Sequence, residues 1–369
     1  MFRPWKTAAL AASAFCLLSL AASPAIAAPA ARVAAKVPLG KVGPGWSVVE
    51  YSSGSLTKSG TEILYLTSPE GKKYRIYSRK AAPVPQALID WSGNGQRVLL
   101  NSQFDANSPD NIEQVSVATG KVISRFSWPG SVYPLGYTKP DGLNILAVSY
   151  TGTRWQLQRY NLQGQLQKVL ASGGPQFDPA AIYSPGGTSL IVSMSKGLEE
   201  VSNLGGVTAR FVVGRTAACY PKQWQNSSTV LAVCYPRTQT APPRNSLWLV
   251  NIKTGKSSLL GNPPKGTQAA NAWRLGSRLY QQDYYYCDFI SQQYRNGSTH
   301  VIKVPGNAGA QVAGVLGSRL LLAAQPKCGP IGTSLAWFNP VTKALHYVLR
   351  PKGATTGVEH VVAFGERGI

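Results

Sequence analysis

The sequence predicts an all-β protein made of repeated hairpins. Of its 369 residues, 37 are glycine and 26 are proline, and aromatic residues make up 9% of the chain. This composition is typical of many short strands joined by frequent turns. No long stretch repeats its apolar residues at the 3.6-residue spacing of a helix, so long helices are not expected.

Seven predicted hairpins recur along the chain at a nearly constant spacing. Each consists of a β-rich run, a short turn and a second β-rich run, as in RYNLQGQLQKVL and VSNLGGVTARFVV. The turns centre, 41 to 50 residues apart, on Gly71, Gly120, Gly164, Gly205, Gly255, Gly297 and Thr342. A period in the forties with four strands in each unit is typical of a β-propeller.

A second repeated feature lies between these hairpins: an apolar strand, a turn and a very apolar strand. Six complete copies are present, and the seventh is divided between the two ends of the chain. VVAFGERG near the C-terminus supplies its first strand, and GPGWSVVEYS at residues 43–52 supplies its second. We therefore expect residues 43–369 to form one domain, a seven-bladed β-propeller. Its ring is expected to close by the C-terminal strand pairing into the first blade, which leaves no free sheet edge.

Three turns carry a family resemblance. WSGNG (residues 91–95), YTKPDG (137–142) and YSPGG (183–187) resemble the W-S-P-D-G turn of TolB-type, WD40-like (PD40) β-propellers. The resemblance lies in the repeat and implies the propeller fold, while saying little about activity. The aromatic residue that ends the first strand of each copy is expected to pack between blades, because Trp and Tyr bury large areas.

The first residues have the features of an export signal. MFRPWK is basic, an Ala- and Leu-rich run follows, and Ala25, Ile26 and Ala27 form an A-x-A cleavage site. We expect residues 1–27 to be a signal peptide, residues 28–42 a flexible tether, and the protein to be secreted into the cell envelope or periplasm. No other segment is apolar enough to span a bilayer, so no transmembrane segment is expected.

Four cysteines remain once Cys16 is removed with the leader, and four cysteines allow three pairings. No C-x-x-C spacing suggests a metal or redox site, so structural disulfides are expected in an oxidising compartment. In the predicted strand order, Cys219 and Cys234 face each other across one hairpin. Cys287 and Cys328 follow the second strands of adjacent blades. The predicted disulfides are therefore Cys219 with Cys234 and Cys287 with Cys328.

Charge favours an anionic partner. The formal net charge is +22, and loss of Arg3 and Lys6 with the leader lowers it to +20. Such a field attracts wall polymers, acidic glycans, phospholipid headgroups or nucleic acid. The alternative is that the charge is a general property of an exported protein and serves no ligand. Nucleic acid is not expected as a partner, because no basic stripe with interleaved aromatic residues is visible.

Propeller geometry divides the connections between two faces. If each blade has strands A to D from the channel outwards, the short A–B and C–D turns lie on one side, here called the turn face. The longer B–C and D–A connections lie on the other, here called the loop face, where a binding site is expected. Tyr284, Tyr285 and Tyr286 lie beside the loop face, and Tyr285 is the predicted stacking residue. The predicted binding cations on the D–A connections are Arg79, Lys80, Arg215, Lys265, Arg350 and Lys352.

Residues typical of catalysis are scarce. His300, His346 and His360 are the only histidines, and neither a catalytic triad nor a pair of carboxylates can be proposed from the sequence. We therefore expect a monomeric, non-catalytic binding or scaffold propeller of the cell envelope that holds an anionic polymer or protein partner, without a cofactor, metal or catalytic residue. The alternative is a propeller enzyme, a lyase or hydrolase acting on a glycan or modified peptide in the central funnel, because fold does not decide function.

Overall fold

A computed structural model describes residues 37–54, 60–80, 86–102, 108–174, 180–236, 245–294, 297–328, 332–353 and 356–364. The expected signal peptide and most of the expected tether lie outside these residues. Within them the chain is all-β, as predicted, apart from one turn of 3-10 helix at Leu39–Lys41. No helix of the described part is both long and apolar enough to cross a bilayer.

The strands fall into consecutive groups along the chain. The first eleven are β1 (Ser47–Ser52), β2 (Thr61–Thr67), β3 (Lys73–Lys80), β4 (Ala87–Trp91), β5 (Arg97–Ser102), β6 (Asp110–Ser116), β7 (Val122–Trp128), β8 (Val132–Tyr137), β9 (Asn144–Thr151), β10 (Arg154–Asn161) and β11 (Leu166–Gly173). The next eight are β12 (Ala181–Tyr183), β13 (Ser189–Ser195), β14 (Gly197–Ser202), β15 (Val207–Val212), β16 (Thr216–Asn226), β17 (Thr229–Pro236), β18 (Ser246–Asn251) and β19 (Ser257–Gly261). The last nine are β20 (Gln268–Leu275), β21 (Arg278–Tyr284), β22 (Asp288–Gln293), β23 (Thr299–Ile302), β24 (Gly309–Leu316), β25 (Arg319–Gln325), β26 (Ser334–Phe338), β27 (Leu345–Leu349) and β28 (Gly357–Ala363).

Antiparallel pairing assembles these strands into a propeller-like arrangement. The first blade has the order β28-β1-β2-β3, the second is β4 to β7 and the third is β8 to β11. Strands β12 to β19 form one eight-stranded sheet, here called the double sheet, and β20 to β23 and β24 to β27 form the fourth and fifth blades. The inner strands lie side by side, with β28 next to β4 and β24, and β4 next to β8.

The predicted ring closure is confirmed. Strand β28 pairs antiparallel with β1, so that Val361 lies opposite Val49. The turn beyond it is held as well, because the Phe364 N–H donates to the Trp46 carbonyl at 2.7 Å. The first blade is therefore completed by residues from both ends of the described chain.

The number of separate blades differs from the expectation of seven. Five four-stranded blades are present, and the other eight strands share one sheet because β13 also pairs with β16. The reason lies in the length of β12, which has three residues and pairs only as far as Val192 of β13. Met194 and Ser195 lie beyond this pairing, and they pair instead with Cys219 and Ala218 of the eleven-residue strand β16.

Apolar side chains fill the spaces between consecutive groups of four strands. Within the described residues there are seven such clusters. The aromatic residues that end the first strands lie in them, as predicted, and the buried examples are Trp91, Tyr137, Tyr183 and Trp273. Each buried Leu, Ile or Phe stabilises the packing of two groups by about 1.5–3 kcal/mol.

Polar side chains also join neighbouring groups near the channel. Most inner strands contain a register shift, which leaves backbone groups without a strand partner. Oxygen atoms of the preceding group accept these N–H groups at 2.8–2.9 Å, and the pairs are Glu50 with Leu88, Asp90 with Tyr137, Asn245 with Ala269, and Gln282 with Val312.

Both disulfides join the predicted cysteines. Cys219 is bonded to Cys234 within the double sheet, with a Cα separation of 4.1 Å. Cys287 is bonded to Cys328 with a Cα separation of 5.3 Å and connects the loop-face ends of the fourth and fifth blades.

Candidate functional site

The connections sort into the two expected faces. On the turn face an A–B turn meets a C–D turn, where the Val117 N–H donates to the Gln96 carbonyl at 2.9 Å. On the loop face a D–A connection meets a B–C connection, where the Ala308 N–H donates to the Gln325 carbonyl at 2.8 Å. Residues that end a D strand or follow it therefore lie on the loop face.

Five of the six predicted cations are exposed at such positions, and they are Lys80, Arg215, Lys265, Arg350 and Lys352. The Arg350 guanidinium also lies 4.0 Å from the ring centroid of Tyr347, in a cation–π arrangement. Arg79 differs from the others, because its Nε lies 2.5 Å from Oε2 of Glu62 and its side chain is mostly buried. Its charge is therefore partly balanced inside the first blade.

Acidic residues are almost absent from the described protein surface. Asp105, Asp178 and Glu366 lie outside the described residues, and among the other Asp and Glu residues only Glu70 and Asp141 are exposed. Glu70 lies in a C–D turn and Asp141 in an A–B turn, so both belong to the turn face. The described part of the loop face consequently presents cations without exposed carboxylates.

The three predicted tyrosines form an exposed turn on the loop face. Tyr286 is 78% exposed, and Tyr284 and Tyr285 are about half exposed. The rings of Tyr285 and Tyr286 lie edge to face with centroids 4.1 Å apart, and the hydrogen bond that Tyr285 donates to Tyr286 raises the pKa of Tyr285. The disulfide from Cys287, the next residue, fixes this turn to the adjacent blade.

A histidine–carboxylate pair lies at the inner edge of the first blade. Oε2 of Glu50 is 2.9 Å from Nδ1 of His360 and also accepts the Leu88 N–H at 2.8 Å. The carboxylate is buried, whereas the His360 side chain is 51% exposed on β28, the innermost strand of the first blade. Glu359 lies next to His360 in the chain, and Glu62 is close enough to affect the ionisation of Glu359.

The electrostatics of this group favour a protonated imidazole. The hydrogen bond that His360 donates to the Glu50 carboxylate raises the pKa of His360, and the negative charge of Glu359 adds to the effect. Burial raises the pKa of Glu359 and of Glu62, and the charge of Glu50 raises both further. An oriented imidazole beside carboxylates can exchange protons with a bound molecule.

Sequence reasoning treated His360 as an ordinary strand residue and did not consider Glu50. A signal for the pair was present, because the predicted closure of the ring placed the two segments side by side, and their register puts Glu50 opposite His360. Within the described residues, no three His, Cys, Asp or Glu side chains are grouped so that they could hold a metal ion.

No protein-family model matches the chain, and no curated protein matches it either. Solved structures do resemble it. A puromycin-hydrolysing peptidase from Mycobacterium tuberculosis aligns with 85% of this chain at 15% identity and a TM-score of 0.56, and the alignment covers 53% of the peptidase. This chain therefore spans about half the length of that relative.

Two further structures bear on the fold. The β-propeller domain of the Trilobed protease from Pyrococcus furiosus aligns with 83% of this chain at 10% identity and a TM-score of 0.55, and 95% of that domain is covered. TolB from Acinetobacter baumannii aligns with 88% of this chain and 68% of its own at 14% identity, with a TM-score of 0.48. At these identities the likeness shows the propeller fold alone, without the narrower TolB-type membership that the turn motifs suggest.

Proposed function

We propose that this protein is an exported, non-catalytic binding propeller that holds an anionic polymer of the cell envelope on its loop face. The observation that carries the proposal is the scarcity of exposed acids beside the loop-face cations. Among the described acids only Glu70 and Asp141 are exposed, both on the turn face, while Lys80, Arg215, Lys265, Arg350 and Lys352 are exposed on the loop face. A surface of this kind attracts a polyanion over the whole face.

The strength of such binding comes from many small contributions. An exposed cation adds only about 0.5–1 kcal/mol, so several must act together on a repeating ligand. Since exposed charges are screened by salt, affinity should fall steeply as ionic strength rises. Charge alone would accept any polyanion, and the rings of Tyr285 and Tyr286 supply a rigid surface on which sugar or aromatic units can stack.

The test compares equal changes of charge on the two faces. Lys80→Ser, Arg350→Ser and Lys352→Ser remove three loop-face cations, whereas Lys121→Ser, Lys253→Ser and Lys256→Ser remove three exposed turn-face cations. With poly(glycerol phosphate) and polygalacturonate as probes, the loop-face variant should bind about tenfold more weakly and the control should change about twofold at most. Equal losses in both variants would leave only a nonspecific effect of net charge.

A second candidate is an enzyme, a lyase or hydrolase acting on a glycan or modified peptide in the central funnel. His360, oriented by Glu50 at the channel, would be its general base. Two of the three structural relatives described above are named as a peptidase or part of a protease, so the comparisons agree better with this candidate than with a scaffold. At these identities the comparisons are evidence for the fold and do not decide between the two candidate functions.

The enzyme candidate has its own matched variants. His360→Gln removes the oriented imidazole, and His346→Gln removes an exposed imidazole on an outer strand. Peptide amides and oligouronides are the substrates to screen. Turnover that His360→Gln abolishes and His346→Gln preserves would establish the enzyme, and absence of turnover by the unaltered protein would favour binding.

Two structural proposals accompany the function. The double sheet counts as two blades, because an apolar cluster that includes Ile191 and Val230 separates β12 to β15 from β16 to β19 as in the other blades.

The second structural proposal is that the chain is exported and cleaved before Ala28. The two disulfides support export, because such bonds persist in oxidising compartments. The mass of the exported protein tests the cleavage site.

A further inference from the structure

A groove lies between the double sheet and the fourth blade, and none of the loop-face cations lines it. Its volume is about 650 Å³, which is within the range of small-molecule sites. Leu259 and Gly261 of β19 line one side, and Arg274, Leu279 and Gln293 of the fourth blade line the other. Tyr294 completes the wall.

Three of these side chains form a row across the fourth blade. Arg274 lies opposite Leu279, and Leu279 lies opposite Gln293. Directly opposed side chains point to the same side of a sheet, about 5 Å apart. A cation, an apolar side chain and an amide therefore follow one another over about 10 Å.

The polar ends of this row lack partners. Arg274 is exposed and has no ion-pair partner within the described part of the chain. The amide of Gln293 packs against the Cα atom of Gly261, and its Oε1 is buried without a hydrogen-bond donor among the described residues. A buried acceptor without a donor costs about 1–3 kcal/mol, which a ligand N–H can recover once the amide turns towards it.

Apolar side chains form part of the groove wall and are open to solvent. Leu259 is 51% exposed and Tyr294 is 44% exposed, although both are large apolar side chains. Leu279 between them belongs to the apolar cluster that joins the double sheet to the fourth blade. A ligand that covers these side chains removes apolar area from water.

We propose that this groove binds the C-terminal end of an extended peptide whose last side chains are apolar. The terminal carboxylate pairs with the Arg274 guanidinium, whose planar fork matches carboxylate geometry. The apolar side chains cover Leu259 and Tyr294, and a peptide N–H donates to Oε1 of Gln293. None of the cations assigned to the loop face lines this groove, so the site is independent of the function proposed for that face.

The test uses N-acetyl-leucyl-leucine, its C-terminal amide and octanoate as probes, with binding measured by calorimetry. The free acid should bind at least about tenfold more tightly than the amide and than octanoate. Arg274→Gln should weaken binding of the acid about tenfold, and Arg278→Gln should leave it unchanged. Arg278 is the matched control, because it is also exposed, on the neighbouring strand β21, but lies opposite Leu275, which packs towards the fifth blade.

Several outcomes would overturn the proposal. One is the absence of saturable binding at about 10 mM acid, and another is equal binding of acid and amide. Equal affinity in Arg274→Gln and the unaltered protein would place the ligand elsewhere. Binding of octanoate as tight as that of the peptide would assign the groove to fatty acids.

Discussion

Nδ1 of His360 lies 2.9 Å from Oε2 of Glu50, although the two residues are 310 positions apart in the chain. The same carboxylate oxygen accepts the Leu88 N–H, so Glu50 connects both strands of the ring closure to the second blade. A buried carboxylate in this position is stable only while its partners hold it. The pair therefore links the strands that close the ring to an imidazole that is half exposed.

The first prediction concerns the pH dependence of this pair. Because Glu50 raises the pKa of His360, the folded protein holds the proton more tightly than the unfolded chain. The stabilisation is fully present below the ordinary histidine pKa of about 6.5 and is lost as pH rises through the raised value. Urea unfolding should show a larger difference between the unaltered protein and His360→Gln at about pH 5.5 than at about pH 8.5.

This difference should stay below about 1 kcal/mol, because the imidazole is half exposed and solvent screens it. A stability difference that does not vary with pH would mean that the imidazole is not charged in the folded protein.

The second prediction concerns ring closure. Val362 of β28 is buried in the cluster between the first and second blades, and Val362→Asp places an unpaired charge there. We expect a loss of at least about 3 kcal/mol in the free energy of unfolding. Val212→Asp is the matched control, because Val212 is 65% exposed on an outer strand, and it should change stability by about 0.5 kcal/mol or less.

Deletion of residues 357–369 tests the same closure more severely. It removes the strand that pairs with β1, so the protein should aggregate or lose its cooperative melting transition. A truncated protein that melts like the parent would show that β28 contributes nothing to the ring.

The third prediction concerns the two disulfides. Cys219 and Cys234 are fully buried, whereas Cys328 is exposed on the loop face. Mild reduction of the folded protein should open the bond between Cys287 and Cys328 first, because the reductant can reach it without unfolding. Differential alkylation with peptide mapping measures the order.

Loss of that bond should also weaken binding on the loop face, because it fixes the turn of Tyr284, Tyr285 and Tyr286. Preferential reduction of Cys219 with Cys234 would imply that the double sheet opens more readily than the loop face.

The fourth prediction concerns Asp283, which is fully buried in the fourth blade and accepts hydrogen bonds from Gln281 and Ser291. Burial raises its pKa to about 6. The folded protein therefore binds a proton that the unfolded chain releases above about pH 4, and stability falls as pH rises through 6. Asp283→Asn should be more stable than the unaltered protein at pH 7, by about 1–3 kcal/mol, but not at about pH 4.

Chemical unfolding of the unaltered protein and of Asp283→Asn between about pH 4 and about pH 7 measures this difference in stability. If Asp283→Asn is less stable than the unaltered protein at pH 7, the hydrogen bonds to the charged carboxylate outweigh the cost of burying it.

Sequence by itself determined the repeat, the closure of the ring and the pairing of the cysteines. These features depend on short-range patterns, namely alternation along a strand, glycine at a turn and a fixed number of strands in each unit. The position of the loop-face cations could be predicted for the same reason, since each follows the last strand of a unit.

Tertiary structure alone decided the rest. The joining of eight strands in one sheet depends on the pairing of Met194 with Cys219, which follows from the short β12 and the long β16. The pairing of Arg79 with Glu62, the burial of half of the described carboxylates and the contact of Glu50 with His360 depend on register across strands. A shift of one residue turns a side chain to the other face of a sheet, and turn patterns do not encode register to that accuracy. The loop-face cations could therefore be located from the sequence, but which carboxylates are buried or paired required the packed sheets.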